Sequence, residues 1–105
     1  KKKMSNSSEG LFYECLKYSN HSVERVRELV AKGADVNWNE DYSNTTGFMW
    51  VCIINHVKTV KYLMTIDTIN VNLVDNGGQS GFYLACAHGR NEIVQILLDD
   101  PRVDV

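Results

Sequence analysis

A short sequence phrase occurs three times along this chain. Its copies are Gly10–Cys15, Gly47–Cys52 and Gly81–Cys86, and in each of them three large side chains follow the glycine and a cysteine ends the phrase. The second and third copies lie 34 residues apart, since 81 − 47 = 34. A period of this size is typical of a stacked repeat array and not of a domain with a single centre. Because such arrays present a long surface of side chains, the repeat favours a protein that binds other macromolecules.

The composition allows a packed core and argues against several classes of function. Apolar residues make up 44% of the 105 residues and charged residues 23%, as in ordinary globular proteins. The net charge of −2 supplies no basic field for a phosphate backbone, so nucleic-acid binding is not expected. The sequence has no apolar stretch of about 18 residues and no secretory signal, so membrane insertion is not expected either.

The cysteines are expected to be core thiols. Cys15, Cys52 and Cys86 occupy the same place in the three copies, and an odd number cannot form a closed set of disulfides. We interpret all three as small buried side chains that pack helix against helix. This use of cysteine favours a cytoplasmic protein, with the nucleus as the other compartment.

Each copy of the phrase is expected to form the first helix of a two-helix unit. Thr46 and Ser80 precede the second and third copies, where a hydroxyl can accept a hydrogen bond from an early helical N–H group. Ser8 or Glu9 is the weaker candidate for the capping residue of the first copy. Gly89 can end the first helix of unit three in a left-handed conformation. The apolar stripes that predict the second helices are Val26, Leu29 and Val30, then Val60, Leu63 and Met64, then Ile93, Val94, Leu97 and Leu98.

Polar breaks after the second helices predict short β-hairpins. Residues 33–37 and 67–72 pass from such a break into an extended piece, and residues 76–78 (Asn-Gly-Gly) are a strong turn signal. The first hairpin is expected to be one residue longer than the second. The predicted divisions of the chain are residues 1–8, a disordered tail or an expression remnant, and three units at about 9–40, 41–74 and 75–105.

The third unit resembles the ankyrin repeat. Residues 78–89, Gly-Gln-Ser-Gly-Phe-Tyr-Leu-Ala-Cys-Ala-His-Gly, are similar to the family's first helix and loop, and residues 91–98 to its second helix. Residues 33–37, Gly-Ala-Asp-Val-Asn, match the start of the family's hairpin letter for letter. The resemblance covers roughly residues 9–105. It implies an all-α solenoid of three stacked helix-turn-helix repeats with short β-hairpin connections.

The chain departs from the family pattern at the start of each first helix. Gly10, Gly47 and Gly81 stand where proline is usual, and proline's fixed φ angle is therefore missing. Histidine is usual two residues later, where this chain has Phe12, Met49 and Tyr83. We therefore expect the family's histidine network to be absent and the stability to be modest. Unit one also has about three extra residues between its helices, within residues 18–22.

The two ends of the array differ in polar cover, which a repeat stack needs over its terminal core faces. In unit one, Glu14 replaces a small apolar residue, and the second helix contains Glu24, Arg25, Arg27 and Glu28. Unit three has no comparable cover. We therefore expect a fragment of a longer array, with self-association through the uncapped C-terminal repeat as the alternative.

No catalytic or metal-binding set is expected. Cys52 and His56 have the spacing of some metal pairs, but both fall at structural positions of the repeat. Cys86 and His88 would point to different sides of a helix. Because no phosphate loop or nucleophile–base set is recognisable either, we predict a protein without enzymatic activity, cofactor or metal.

The resemblance implies that a partner binds across the hairpin tips and the concave side of the first helices. The implied contact residues are Trp38, Glu40, Tyr42, Met49, Ile53, Ile54, Val74, Asn76, Gln79, Tyr83 and His88. Ile53 and Ile54 stand where polar residues are usual, which favours an exposed apolar interface. Alternatively, one of them packs on the long loop of unit one. Trp50 takes a core leucine position and is expected to fill space.

Two hairpin asparagines suggest a modification. Asn37 and Asn72 match the asparagine that cytosolic dioxygenases hydroxylate in many ankyrin proteins, and Leu29 and Asp35 precede Asn37 at the substrate spacing. The alternative role of both asparagines is to stabilise the turn through their side chains.

The sequence therefore predicts a non-catalytic protein–protein interaction module whose protein partner is unknown. The main alternative is a targeting segment of a larger enzyme, receptor or channel, with the activity elsewhere. A structural spacer and a small Cys/His metalloenzyme are the remaining hypotheses.

Overall fold

The computed structural model describes residues 6–105, whose six helices form two rows. The helices are α1 (Asn6–Cys15), α2 (Val23–Ala31), α3 (Gly47–Ile54), α4 (Val57–Met64), α5 (Gly81–Ala87) and α6 (Asn91–Leu98). The first helices α1, α3 and α5 pack side by side, and α2, α4 and α6 form the second row. The predicted all-α solenoid of three helix-turn-helix units is confirmed. No helix within residues 6–105 is long and apolar enough to cross a bilayer.

The first helices of units two and three begin at the predicted capping residues. The hydroxyls of Thr46 and Ser80 each accept a hydrogen bond from the N–H group three residues later, at 3.2 and 3.1 Å. In unit one, α1 already includes residue 6, so the prediction of Ser8 or Glu9 as the cap was wrong. The Ser8 hydroxyl instead accepts a hydrogen bond from the N–H group of Asp35 at 2.8 Å. Residues 6–8 belong to this helix and not to the predicted tail, whose residues 1–5 lie outside the described part of the chain.

The core lies between the two rows and runs through all three units. Its buried side chains include Leu11, Cys15, Val26, Leu29, Val51, Cys52, Val60, Leu63, Ala85, Ile93 and Leu97. Six of the predicted stripe residues of the second helices recur in this set, and each fully buried Val, Leu or Ile contributes about 1.5–3 kcal/mol to folding. The other four differ: Val30, Met64 and Val94 are only partly buried, and Leu98 is 50% exposed, so its assignment to the buried stripe was wrong. The stack is therefore held together by apolar contacts between neighbouring units.

One cysteine contradicts the prediction of three core thiols. Cys15 and Cys52 are fully buried, but Cys86 is exposed. The reason is that α3 covers Cys15 and α5 covers Cys52, whereas no further first helix follows α5 among the described residues. Burial raises the pKa of the Cys15 thiol to about 12, so this side chain stays protonated at neutral pH.

The glycines that replace proline permit close packing between units. A Cβ atom on Gly81 would lie 2.6 Å from a ring carbon of Phe48, and one on Gly47 would lie 3.0 Å from the sulfur of Cys15. The nearest side-chain atom to a Cβ on Gly10 would be 3.4 Å away, an ordinary contact. A side chain at this position would therefore overlap the neighbouring unit in unit three, make a tight contact in unit two and fit without strain in unit one.

The connections between units are hairpins with one antiparallel bridge each. The bridges join Asn39 to Thr46 and Val74 to Ser80, so the first hairpin is one residue longer, since 46 − 39 = 7 and 80 − 74 = 6. Among the loops that join the two helices of one unit within residues 6–105, the loop between α1 and α2 is the longest. Both length differences agree with the sequence analysis.

Candidate functional site

The candidate binding site is the hairpin surface, which we define as residues 38–45 and 73–79 with the adjoining side chains of the first helices. Glu40 organises the first turn. Its carboxylate accepts hydrogen bonds from the N–H groups of Tyr42 and Ser43, each at 2.9 Å, and from the Ser43 hydroxyl at 2.7 Å. Glu40 thus supports the turn from within, and the Tyr42 side chain stands 91% exposed beside it.

Asp75 has the corresponding role in the second turn. Its Oδ1 accepts hydrogen bonds from the N–H groups of Gly77 and Gln79, both at 2.9 Å. The predicted turn is confirmed by Gly78, whose φ of 76° suits glycine. Val74 beside this turn is 50% exposed, and Gln79 is half-buried. Both turns are therefore held in one conformation by an internal carboxylate.

The two turns are also bonded to each other. The backbone N–H of Asn76 donates to the carbonyl of Ser43 at 2.9 Å, and its side-chain amide donates to the carbonyl of Tyr42. The Asn44 amide donates to Oδ1 of Asn76 at 2.7 Å. The side chain of Asn76 thus joins the two hairpins into one surface, and its contact with a partner stays a prediction.

Asn37 and Asn72 hold the bases of successive hairpins in register. The Asn37 amide donates to the carbonyl of Thr68 at 2.9 Å, and its Oδ1 accepts from the N–H of Asn70 at 2.8 Å. Asn72 makes the same pair of bonds, both at 2.8 Å, to the carbonyl of Arg102 and to the N–H two residues later. The structural role of both side chains therefore extends to the next unit. Hydroxylation of either asparagine stays a prediction.

Met49 and Tyr83 differ in exposure although they occupy equivalent positions. Met49 is 1% exposed, so its assignment as a groove-facing contact residue was wrong. The equivalent Phe12 is also buried, at 4%, and its ring contacts that of the half-buried Trp38 with centroids 5.4 Å apart. Tyr83 is 53% exposed because no further first helix covers α5 among the described residues.

The remaining predicted contacts lie on α3 and at the end of α5. Ile53 and Ile54 are half-buried and form a partly covered apolar patch. Trp50 is half-buried rather than part of the core, and its indole N–H donates to the Thr45 hydroxyl at 3.3 Å. His88 is exposed, and its Nδ1 donates to the carbonyl four residues earlier at 2.9 Å. Trp50 therefore belongs to the hairpin surface, which the sequence analysis missed.

A polar cluster between units one and two was not predicted. Nδ1 of His21 donates to the carbonyl of Glu14 at 2.7 Å, and its Nε2 lies 2.6 Å from the hydroxyl of Thr59. Nε2 of His56 donates to the carbonyl of Lys17 at 2.6 Å. The two imidazole rings stack with centroids 3.8 Å apart and planes 5° from parallel. Two histidines thus interact here, although Phe12, Met49 and Tyr83 replace the histidine that is usual in the first helices.

Glu14 belongs to this cluster and is not the solvent-facing cover that the sequence suggested. It is 5% exposed, and its carboxylate accepts from the N–H of Ser22 at 2.7 Å and from Lys17 Nζ at 3.0 Å. Burial by itself would raise the pKa of Glu14, but the Ser22 hydrogen bond, with Lys17 and His21, lowers the pKa below its usual value. Burial also lowers the pKa of His56.

The described residues offer no site for a metal ion. No group of three or more His, Cys, Asp or Glu side chains within residues 6–105 could hold one. Of the pair with metal-like spacing, Cys52 is buried in the core and His56 bonds to the carbonyl of Lys17.

Three stacked two-helix units with hairpins bonded edge to edge define a helical repeat protein with an extended surface on its hairpin side. The family model of ankyrin repeats, in three copies, matches residues 11–105, and the chain belongs to the ankyrin-repeat family.

Two curated proteins are similar over 86 residues of this chain. Ankyrin repeat protein R96 of Acanthamoeba polyphaga mimivirus is 31% identical, and SMC5-SMC6 complex localization factor protein 1 of Mus musculus is 33% identical. The alignments cover 81% and 80% of this chain and only 8% of each relative.

Proposed function

We propose that this chain is a non-catalytic module that binds a partner protein through its hairpin surface. Ankyrin repeats are generally protein–protein interaction modules. The main support comes from Tyr42, whose ring stands 91% exposed on a turn that Glu40 organises and Asn76 ties to the next hairpin. A large aromatic side chain on a fixed backbone is a common interface anchor, because it loses little conformational entropy on binding.

The proposed contacts extend along this surface on both sides of Tyr42. They are Trp38, Trp50, Ile53, Ile54, Val74, Tyr83 and His88, with Glu40, Asn76 and Gln79 as residues that shape the turns. Residues 33–56 and 65–89, which supply all of these residues, contain no lysine or arginine. This distribution favours a protein over a nucleic acid as the partner. The cysteine usage favours the cytoplasm or the nucleus.

A second candidate function is that of a targeting segment in a larger protein. It is favoured by the relatives, since the chain corresponds to only 8% of the length of each. The name of the mouse relative describes a localization factor. In this alternative the hairpin surface recruits the partner, and any enzymatic, receptor or channel activity resides in another part of the protein.

The test compares three immobilised proteins: the parent chain, Tyr42→Ser and Tyr18→Ser. Tyr18 is a matched control because it is 75% exposed but lies in the loop after α1, at the helix ends remote from the hairpins. All three should show native helicity by circular dichroism. We expect a protein captured by the parent and by Tyr18→Ser to be lost with Tyr42→Ser. Equal capture of that protein by all three would show that it does not bind through Tyr42 and would contradict the proposed binding site on the hairpin surface.

A further inference from the structure

The stacked imidazoles of His21 and His56 tie unit one to unit two through the end of α1. His21 donates from Nδ1 to the carbonyl of Glu14, so its neutral form leaves Nε2 as the acceptor for the Thr59 hydroxyl. His56 on unit two donates from Nε2 to the carbonyl of Lys17 on unit one. Each neutral ring therefore bonds to a carbonyl of unit one while the pair contacts α4.

The surroundings disfavour two protons on this pair. Two imidazolium rings with centroids 3.8 Å apart repel each other. His56 is the N-cap residue of α4, and His21 directly precedes Ser22, the N-cap residue of α2. The positive ends of both helix dipoles thus lie beside the rings and oppose a positive charge there.

The charged side chains around the pair set the balance between one proton and two. From α1, the Glu14 carboxylate lies 3.6 Å from Nδ1 of His21 and places one negative charge beside the ring pair. Lys17, after α1, bonds to Glu14 at 3.0 Å and offsets part of that charge. Glu24 of α2 and Lys58 of α4 line the groove over the rings. One carboxylate contacts the pair directly, so the surroundings compensate for one added charge and not for two.

We propose that the His21–His56 stack is an acid-sensitive latch between units one and two. The second proton drives the rings apart and breaks the bonds to the Lys17 carbonyl and to Thr59. The segment 16–22 is then released from α4, while α3–α6 stay packed. Solvent reaches the pair through the open groove that both rings line, so the latch responds to the pH of the medium. This latch is independent of the hairpin surface and of its partner.

The amide of Ser22 reports directly on the latch, because its N–H donates to the Glu14 carboxylate at 2.7 Å next to His21. Hydrogen exchange of this amide is measured by NMR between pH ~7.5 and ~5 in three proteins. These are the parent chain, His56→Gln, whose amide can still donate to the Lys17 carbonyl, and His88→Gln, a matched change of a histidine outside the cluster. We expect the protection factor of Ser22 to fall about tenfold on acidification in the parent and in His88→Gln, and to stay constant in His56→Gln.

Constant protection in the parent, or an equal fall in all three proteins, overturns the latch. A second measurement covers the case in which His56→Gln does not fold. The ring protons of His21 and His56 in the parent are followed by NMR through the same pH range. Two separate titration steps, each sensed by both rings, are the expected result of coupled protonation. Independent titration of the two rings would contradict it.

Discussion

The interface between units one and two and the interface between units two and three use the same position with different chemistry. The residue before each second helix reaches back to a carbonyl of the preceding unit. His56 Nε2 donates to Lys17 at 2.6 Å, and Arg90 Nε, 34 residues later (90 − 56 = 34), donates to Ile53 at 2.8 Å. Arginine is always protonated, whereas histidine titrates near neutrality. Of these two donors only the histidine can change its charge in mild acid, which is the contrast on which the proposed latch rests.

On the hairpin side, by contrast, the two interfaces are held by the same hydrogen bonds. Asn37 and Asn72 make equivalent pairs of bonds to the next unit at distances of 2.8 and 2.9 Å. The side chains inside the stack can therefore differ while the register of the hairpins stays fixed. For a protein that binds through its hairpins, register is the property that the interfaces must keep.

The largest effect is expected from crowding the second interface. Gly81→Ala places a Cβ atom 2.6 Å from the Phe48 ring and should lower the free energy of unfolding by about 1–3 kcal/mol. Gly47→Ala meets Cys15 at 3.0 Å and should cost less, and Gly10→Ala should stay within about 0.5 kcal/mol of the parent. Urea unfolding measures all three. Equal effects in the three variants would mean that close packing does not explain the glycines.

Removal of the permanently charged donor should have the next largest effect. Arg90→Ala deletes the bond to the Ile53 carbonyl, and we expect a loss of about 1–2 kcal/mol in the free energy of unfolding. The loss should be independent of pH between ~7.5 and ~5, because arginine does not titrate there. Urea unfolding at both pH values measures this loss of free energy. A loss that is larger at the lower pH would contradict the proposed difference between Arg90 and His56.

The hairpin register should respond equally at both interfaces. Asn37→Ala and Asn72→Ala each remove two exposed hydrogen bonds, so each should cost about 1 kcal/mol. The double variant should show the sum of the two losses, since the two side chains share no partner. Thermal unfolding of the three proteins is the measurement. Markedly unequal losses of stability would show that the hydrogen bonds of Asn37 and Asn72 are not equivalent.

The smallest effect is the pH dependence, which separates into two windows. The pKa of His56 lies below its ordinary value of 6.5 in the folded chain, so the unfolded chain binds more protons and stability falls as the pH drops below 6.5. The pKa of Glu14 lies below 4.5, so a further loss begins below pH 4.5. Thermal midpoints measured against pH should show both losses of stability, and His56→Gln should remove only the loss that begins below pH 6.5. If this loss is unchanged in His56→Gln, another titratable group causes it.

The sequence predicts the parts of the fold that repeat with the period. Thr46 and Ser80 cap helices because the same signal precedes each copy of the phrase, and the unequal hairpin lengths follow from counting residues between them. The sequence also predicts that the side chains of Asn37 and Asn72 stabilise the hairpins. It does not predict that these side chains bond to the next unit.

The sequence could not predict features that depend on which unit packs against a residue. Met49 and Tyr83 have the same place in the period, but only Met49 is covered by a following first helix. The contact of His21 with Thr59 joins residues 38 positions apart through a loop that lies outside the period. A pattern search has no reason to pair them. The bond between Asn76 and the carbonyl of Tyr42 depends on how two neighbouring hairpins lie side by side, which the sequence of either hairpin does not show.

The central claim is that the two turns form one fixed surface that presents Tyr42. The most direct test is amide hydrogen exchange at Asn76, whose N–H donates to the Ser43 carbonyl at 2.9 Å, and at Asn70, whose N–H donates to Asn37 Oδ1 at 2.8 Å. The account predicts that both amides exchange at least ~100-fold more slowly than in an unstructured peptide. Exchange of both at the unstructured rate would show that the hairpins move independently, and it would contradict a preformed binding surface.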